Sequence, residues 1–138
     1  MGYESRLFII KRDECGFDNG VTWVYDHKLA EIELCCMGHN KNYKYFSDIF
    51  KTPVDFDLYN TGAIIEDSSD YNPEDYRVDC YGKHCCYTSI DEVVKYMEEL
   101  IEEGETYWRL KPAIATLKAW KNDVTGLDKE PIVVHWGH

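Results

Sequence analysis

A chain of 138 residues is the length of one ordinary domain, long enough to bury a sizeable core without staples. Its formal net charge of −11 repels phosphate backbones, which disfavours direct binding to nucleic acid. The opening Met-Gly-Tyr-Glu-Ser-Arg has no basic region ahead of an apolar run and no Ser or Thr at position six, so neither a secretory signal nor a myristoylation pattern is expected.

Apolar stretches reach about four residues, against the roughly twenty that span a bilayer. We therefore expect a soluble, cytoplasmic protein, folded as one domain over residues 1–138, with no membrane partner.

Tyr3 to Lys11 is an aromatic and β-branched run of strand length, apolar enough for both faces to be buried. Cys15 to Gly20 reads as a turn cluster, with Asn19-Gly20 as its hairpin signal, and Val21 to Tyr25 as a second strand. Leu29 to Met37 fits either a short helix or an alternating strand, ended by Gly38. From Asn40 to Asp75 the chain is polar and aromatic with frequent breakers. We expect loops there around short strands, the clearest at Ala63-Ile64-Ile65-Glu66. Tyr76 to Tyr81 reads as a further strand, closed by a turn at Gly82-Lys83.

Ser89-Ile90-Asp91-Glu92 is a capping box, and the helix it starts is expected to stop at Gly104. Ile90, Val93, Val94, Met97, Leu100 and Ile101 form its apolar stripe, which leaves Glu98, Glu99, Glu102 and Glu103 as an acidic outer face. A second helix is expected over Thr106–Lys121, with Pro112 either starting its regular part or kinking it. Its buried face would be Tyr107, Leu110, Ile114, Leu117 and Trp120. Pro131 to Trp136 reads as a closing strand. Strands first, helices late and a returning strand predict an α+β fold, a mixed or mainly antiparallel sheet carrying a C-terminal helical hairpin.

The charge is segregated. Residues 55–79 carry eight acids against Arg77 alone, and residues 91–105 carry seven acids against Lys95 alone. Such a map suits a basic protein surface, including one built to hold DNA or RNA, although acids also serve simply to keep a small protein in solution.

Of six cysteines, all but Cys15 cluster with histidines, as Cys35-Cys36 with His39 and as Cys80 with His84-Cys85-Cys86. A reducing compartment disfavours disulfides, whereas thiolates and imidazoles at short spacings chelate zinc tetrahedrally. Cys36, His39, Cys80 and Cys85 are the candidate ligands of a structural zinc. The competing reading is that these are small buried hydrophobes. No nucleophile elbow, phosphate-binding loop or zinc-hydrolase motif is present, so no catalytic residues are expected.

The opening Met-Gly-Tyr-Glu-Ser-Arg-Leu-Phe-Ile-Ile, the central Leu-Ala-Glu-Ile-Glu-Leu-Cys and the Tyr-Gly-Lys turn before the capped helix resemble small proteins encoded by phages and prophages of Gram-positive bacteria. The resemblance implies a host bacterial cytoplasm and, by class analogy, an anti-defence inhibitor of the anti-CRISPR type that covers a nuclease's basic surface and blocks nucleic-acid loading. The partner-binding candidates are then Glu98, Glu99, Glu102 and Glu103 together with Asp67, Asp70, Glu74 and Asp75. A metal-dependent enzyme or small-ligand-binding protein and a minor phage structural protein are the alternatives.

Overall fold

The computed structural model describes residues 5–34, 46–63, 75–122 and 129–137. Strands β1 (Ser5–Asp18) and β2 (Val21–Glu33) form a long antiparallel hairpin. Only Asn19 and Gly20 make the turn, with φ of 51° and 80°. Both sit in the left-handed region, as a two-residue type I′ turn demands, and Asn and Gly are the residues that tolerate it. So tight a turn lets pairing run out to Asp18 and Val21, and most of the turn cluster expected over Cys15–Gly20 is strand.

Leu29–Met37 resolves in favour of strand as far as Glu33, with Cys35, Cys36 and Met37 outside the described residues. Ile9 pairs with Ala30 but Ile10 with Lys28, so Leu29 is the extra residue of a β-bulge. The bulge explains why Leu29 and Ala30, adjacent in sequence, both pack against the same core.

The sheet has five strands in the order β2-β1-β5-β4-β3, where β3 is Thr52–Pro53, β4 is Cys86–Ser89 and β5 is Ile132–Gly137. Every pairing in it is antiparallel. Helices α1 (Ile90–Glu102) and α2 (Leu110–Asn122) follow β4 and pack on one face, which is the expected α+β architecture. β5 pairs with β1 only as far as Ile10, so the far half of the β1–β2 hairpin extends past β5. Its tip leaves Phe17 and Val21 exposed.

The strand expected at Tyr76–Tyr81 is not one. Val78 makes a single bridge to His84, and the regular strand begins later, at Cys86. The reason lies in two aspartates. Asp75 accepts from the Arg77 N–H, and Asp79 accepts from the N–H groups of Tyr81 and Lys83, so side chains take the donors that a sheet ladder would need. Ala63 lies in a bend, and Ile64, Ile65 and Glu66 fall outside the described residues.

Helix α1 starts and stops where its caps dictate. The Ser89 Oγ accepts from the Glu92 N–H at 3.3 Å. At the other end Gly104 takes φ 98°, while Glu105 N–H bonds to Leu100 carbonyl and Gly104 N–H to Ile101 carbonyl. Those two bonds are a Schellman closure. Helix α2 begins at Leu110 rather than Thr106. Pro112 has no N–H and would clash with the carbonyl of Trp108 in a continuous helix, but in the first helical turn neither defect matters.

Two cores result, one on each face of β1. Leu7 and Ile9 pack under the helices with Ile90, Val93, Met97 and Leu117. Phe8 and Ile10 pack on the reverse face with Val54, Leu58, Val134 and Trp136, covered by irregular chain rather than helices. Bonds from Val54 N–H to Cys85 carbonyl, Leu58 N–H to Tyr76 carbonyl and Cys85 N–H to Arg77 carbonyl hold that cover together. We predict that Leu7→Ala and Phe8→Ala each cost about 3 to 4 kcal/mol in urea unfolding. A loss at only one of the two positions would contradict a core on both faces.

Candidate functional site

The turn between Val78 and His84 is built around Asp79. Its buried carboxylate accepts from Tyr81 and Lys83 N–H at 2.8 and 3.0 Å, and its own N–H donates to Lys83 carbonyl at 2.8 Å. That frame sets the two candidate zinc ligands that lie in the described chain. Cys80 is exposed on the turn, whereas Cys85 is buried in the reverse-face core. Burial pushes the Cys85 thiol well above its ordinary value, and the neighbouring Asp79, Cys86 and Cys80 push it further. Without a cation, Cys85 is therefore a protonated core thiol at neutral pH. Cys36 and His39, the other two candidates, lie outside the described residues.

The nearby histidines are already engaged. The His84 Nε2 lies 3.0 Å from Val54 carbonyl, which only accepts, so this nitrogen carries the proton. His135 is buried, stacks on Phe50 at 5.0 Å and places Nε2 3.2 Å from Ser5 Oγ. A small cavity of about 20 Å³ lies between Phe50, His84, Cys86 and His135, room for a single water. Among the described residues no three His, Cys, Asp or Glu side chains converge as a metal-binding group.

The acidic face of α1 is formed and exposed, but it divides. Glu98 pairs with Lys118 of α2 at 3.3 Å, and Asp91 pairs with Lys121. Glu98 and Glu102 line a groove between the helices, opposite Lys111 and Lys118. Glu103 instead lies toward Tyr96, whose phenol is pushed up to about 12 by burial first and then by Glu103 and Asp48. Glu99, Glu102 and Glu103 make no ion pair among the described residues.

The second acidic segment is less free than its composition suggests. Arg77 grips Asp75 through two nitrogens, Nε to Oδ1 at 2.9 Å and Nη2 to Oδ2 at 2.8 Å. The Arg77 bonds hold the Asp75 carboxyl down at about 2. Asp79 is consumed inside its turn, and Asp67, Asp70 and Glu74 lie outside the described residues. Asp55 and Asp26 share Arg12, whose guanidinium covers the Phe56 ring at 4.8 Å.

Trp108 is the residue that the periodicity missed. The helical stripe assigns Tyr107 and Leu110 to the interior and passes over Trp108, which is 71 % exposed. Its position off the stripe, four residues ahead of Pro112, was the available signal. No protein-family model matches the chain, and comparison with curated proteins and with solved structures finds no match.

Proposed function

We propose that this protein is a non-catalytic inhibitor that docks the acidic face of α1 onto the basic, nucleic-acid-binding surface of a partner protein. The partner class its sequence resemblance favours is a host defence nuclease of the CRISPR-effector kind, blocked at nucleic-acid loading. The observation that carries the reading is the placement of Glu99, Glu102 and Glu103, exposed together on the outer face and C-terminal cap of a helix whose opposite stripe is core, and in no ion pair among the described residues. Carboxylates held on a rigid helix steer and orient a basic partner without first being ordered. A structural zinc, held by Cys80 and Cys85 with Cys36 and His39, belongs to the same proposal and would tie the Asp79 turn to the chain after β2.

Charge reversal tests the docking face. Binding of the chain to a guide-free CRISPR effector, followed by biolayer interferometry, should weaken at least about tenfold when Glu98, Glu99, Glu102 and Glu103 are all changed to Lys, and should fall steeply with added salt. Unchanged affinity, with the acids of residues 67–79 also reversed, would rule the acidic surface out.

Elemental mass spectrometry of the untagged protein tests the zinc. About one zinc per chain is expected, lost in Cys80→Ser together with several degrees of melting temperature. Zinc-free protein with the same melting temperature would leave the cysteines as ordinary core and surface residues.

A further inference from the structure

Asn19 is the one asparagine of six that a glycine follows; the others precede Lys41, Tyr43, Thr61, Pro73 and Asp123. A glycine has no Cβ to shield its own amide nitrogen. A Cβ built on Gly20 would meet nothing within 4 Å beyond its chain neighbours. Asn19 and Gly20 are both exposed, as are Phe17, Val21 and Thr22 around them. The turn also sits where the sheet is narrowest. β5 leaves β1 at Ile10, so among the described residues the tip is held by the β1–β2 ladder alone. The end of a two-stranded ladder is the part of a sheet that opens at least cost.

We propose that Asn19 is a site of spontaneous deamidation, with water as the only co-reactant. The Gly20 nitrogen gives up its proton to solvent and attacks Asn19 Cγ. A bond forms between them, the Cγ–Nδ2 bond breaks, and Nδ2 leaves as ammonia. Water then opens the resulting five-membered imide at one of its two carbonyls. Attack at Cγ leaves aspartate in the ordinary backbone. Attack at the Asn19 carbonyl carbon leaves isoaspartate, whose backbone runs through Cβ and Cγ. Either way one side-chain amide and one water become one carboxylate and one ammonium ion, and nothing is oxidised or reduced.

The fold gates this step. In the closed turn Asn19 and Gly20 hold φ of 51° and 80°, and pairing runs right up to Asp18 and Val21. A type I′ turn sets the intervening peptide at a torsion that the imide ring does not share, so the tip must open before the ring can close. The two products then part. Asp-Gly forms the same turn as Asn-Gly, so aspartate keeps the hairpin and adds one negative charge next to Asp18. Isoaspartate adds a backbone atom, and a two-residue turn has no room for it. The Asp18–Val21 pair is then lost, whereas Leu7 to Ile10, flanked by β2 and β5, stay in place.

The test incubates the full chain in mildly alkaline buffer, folded and in guanidinium chloride. Every asparagine is followed by peptide mass spectrometry, with electron-transfer fragmentation to tell aspartate from isoaspartate. Asn19 is expected to gain one mass unit and yield both products, at a rate that rises with pH and is about tenfold slower in the folded chain. Asn60 is the internal control. It too is exposed in a turn, but Thr61 follows it with a branched side chain that is buried and bonded to Leu58 carbonyl. No product at Asn19 in the folded chain once the denatured sample is complete, or conversion of Asn60 as fast, would overturn the site. Equal rates with and without denaturant would overturn the gate. An Asp18–Val21 contact that survives by NMR in the isoaspartate form would overturn the loss of the turn. Asn19→Asp is expected to keep that contact, and its loss there would assign the effect to charge instead.

Discussion

Strand β1 pairs with β2 along one edge and with β5 along the other, and its segment Leu7-Phe8-Ile9-Ile10 is fully buried on both faces. Four consecutive large apolar side chains leave such a segment no face to turn to water, so the chain must supply two covers. The amphipathic pair α1 and α2 is one cover. The other is the irregular chain of residues 54–63 and 75–85, held by backbone bonds and by Arg12 wedged among Asp26, Asp55 and Phe56. The rest of the molecule follows from this double demand.

The same demand decides where charge can go. Because α1 commits one stripe to the core, its acids are displaced to the outside, and α2 answers Glu98 with Lys118 and Asp91 with Lys121. What remains uncompensated is the outer edge of the helical hairpin, ending at Trp108. On the reverse face the acids are largely spent internally, Asp79 on its turn, Asp75 on Arg77 and Asp55 on Arg12. Two segments of similar composition thus differ in what they offer a partner, and only α1 presents a rigid row of available carboxylates among the described residues. The exposed Phe17 and Val21 lie at the opposite end of β2 from the helical hairpin, roughly 40 Å of strand away. They belong to a different surface.

Features set by local chemistry were legible in the sequence. The two-sided apolar run of β1, the Asn19-Gly20 turn, the Ser89 cap, the Gly104 stop and the closing strand each rest on a few neighbouring residues, and each is found. Features set by competition were not. Tyr76–Tyr81 has strand-like side chains, but Asp75 and Asp79 capture the backbone donors, a contest that composition does not weigh. The bulge at Leu29 depends on how two strands meet, and periodicity within either strand is silent on it. The pairing of Glu98 with Lys118 requires the helices to be packed, so one uniform acidic face could be read where the fold makes two. The candidate zinc ligands are the least legible part, because Cys80 is exposed on the Asp79 turn and Cys85 is buried just after it, while Cys36 and His39 lie in another part of the chain.

The central claim is that the exposed carboxylates of α1 are the docking surface, and carboxyl-group footprinting tests it most directly. The chain is labelled with a carbodiimide and an amine, alone and bound to a guide-free CRISPR effector, and read residue by residue by mass spectrometry. The account predicts that Glu99, Glu102 and Glu103 lose most of their labelling in the complex while Asp57 on the reverse face keeps its own. Labelling of those three glutamates at the free-chain rate, in a complex shown to be formed, would contradict it.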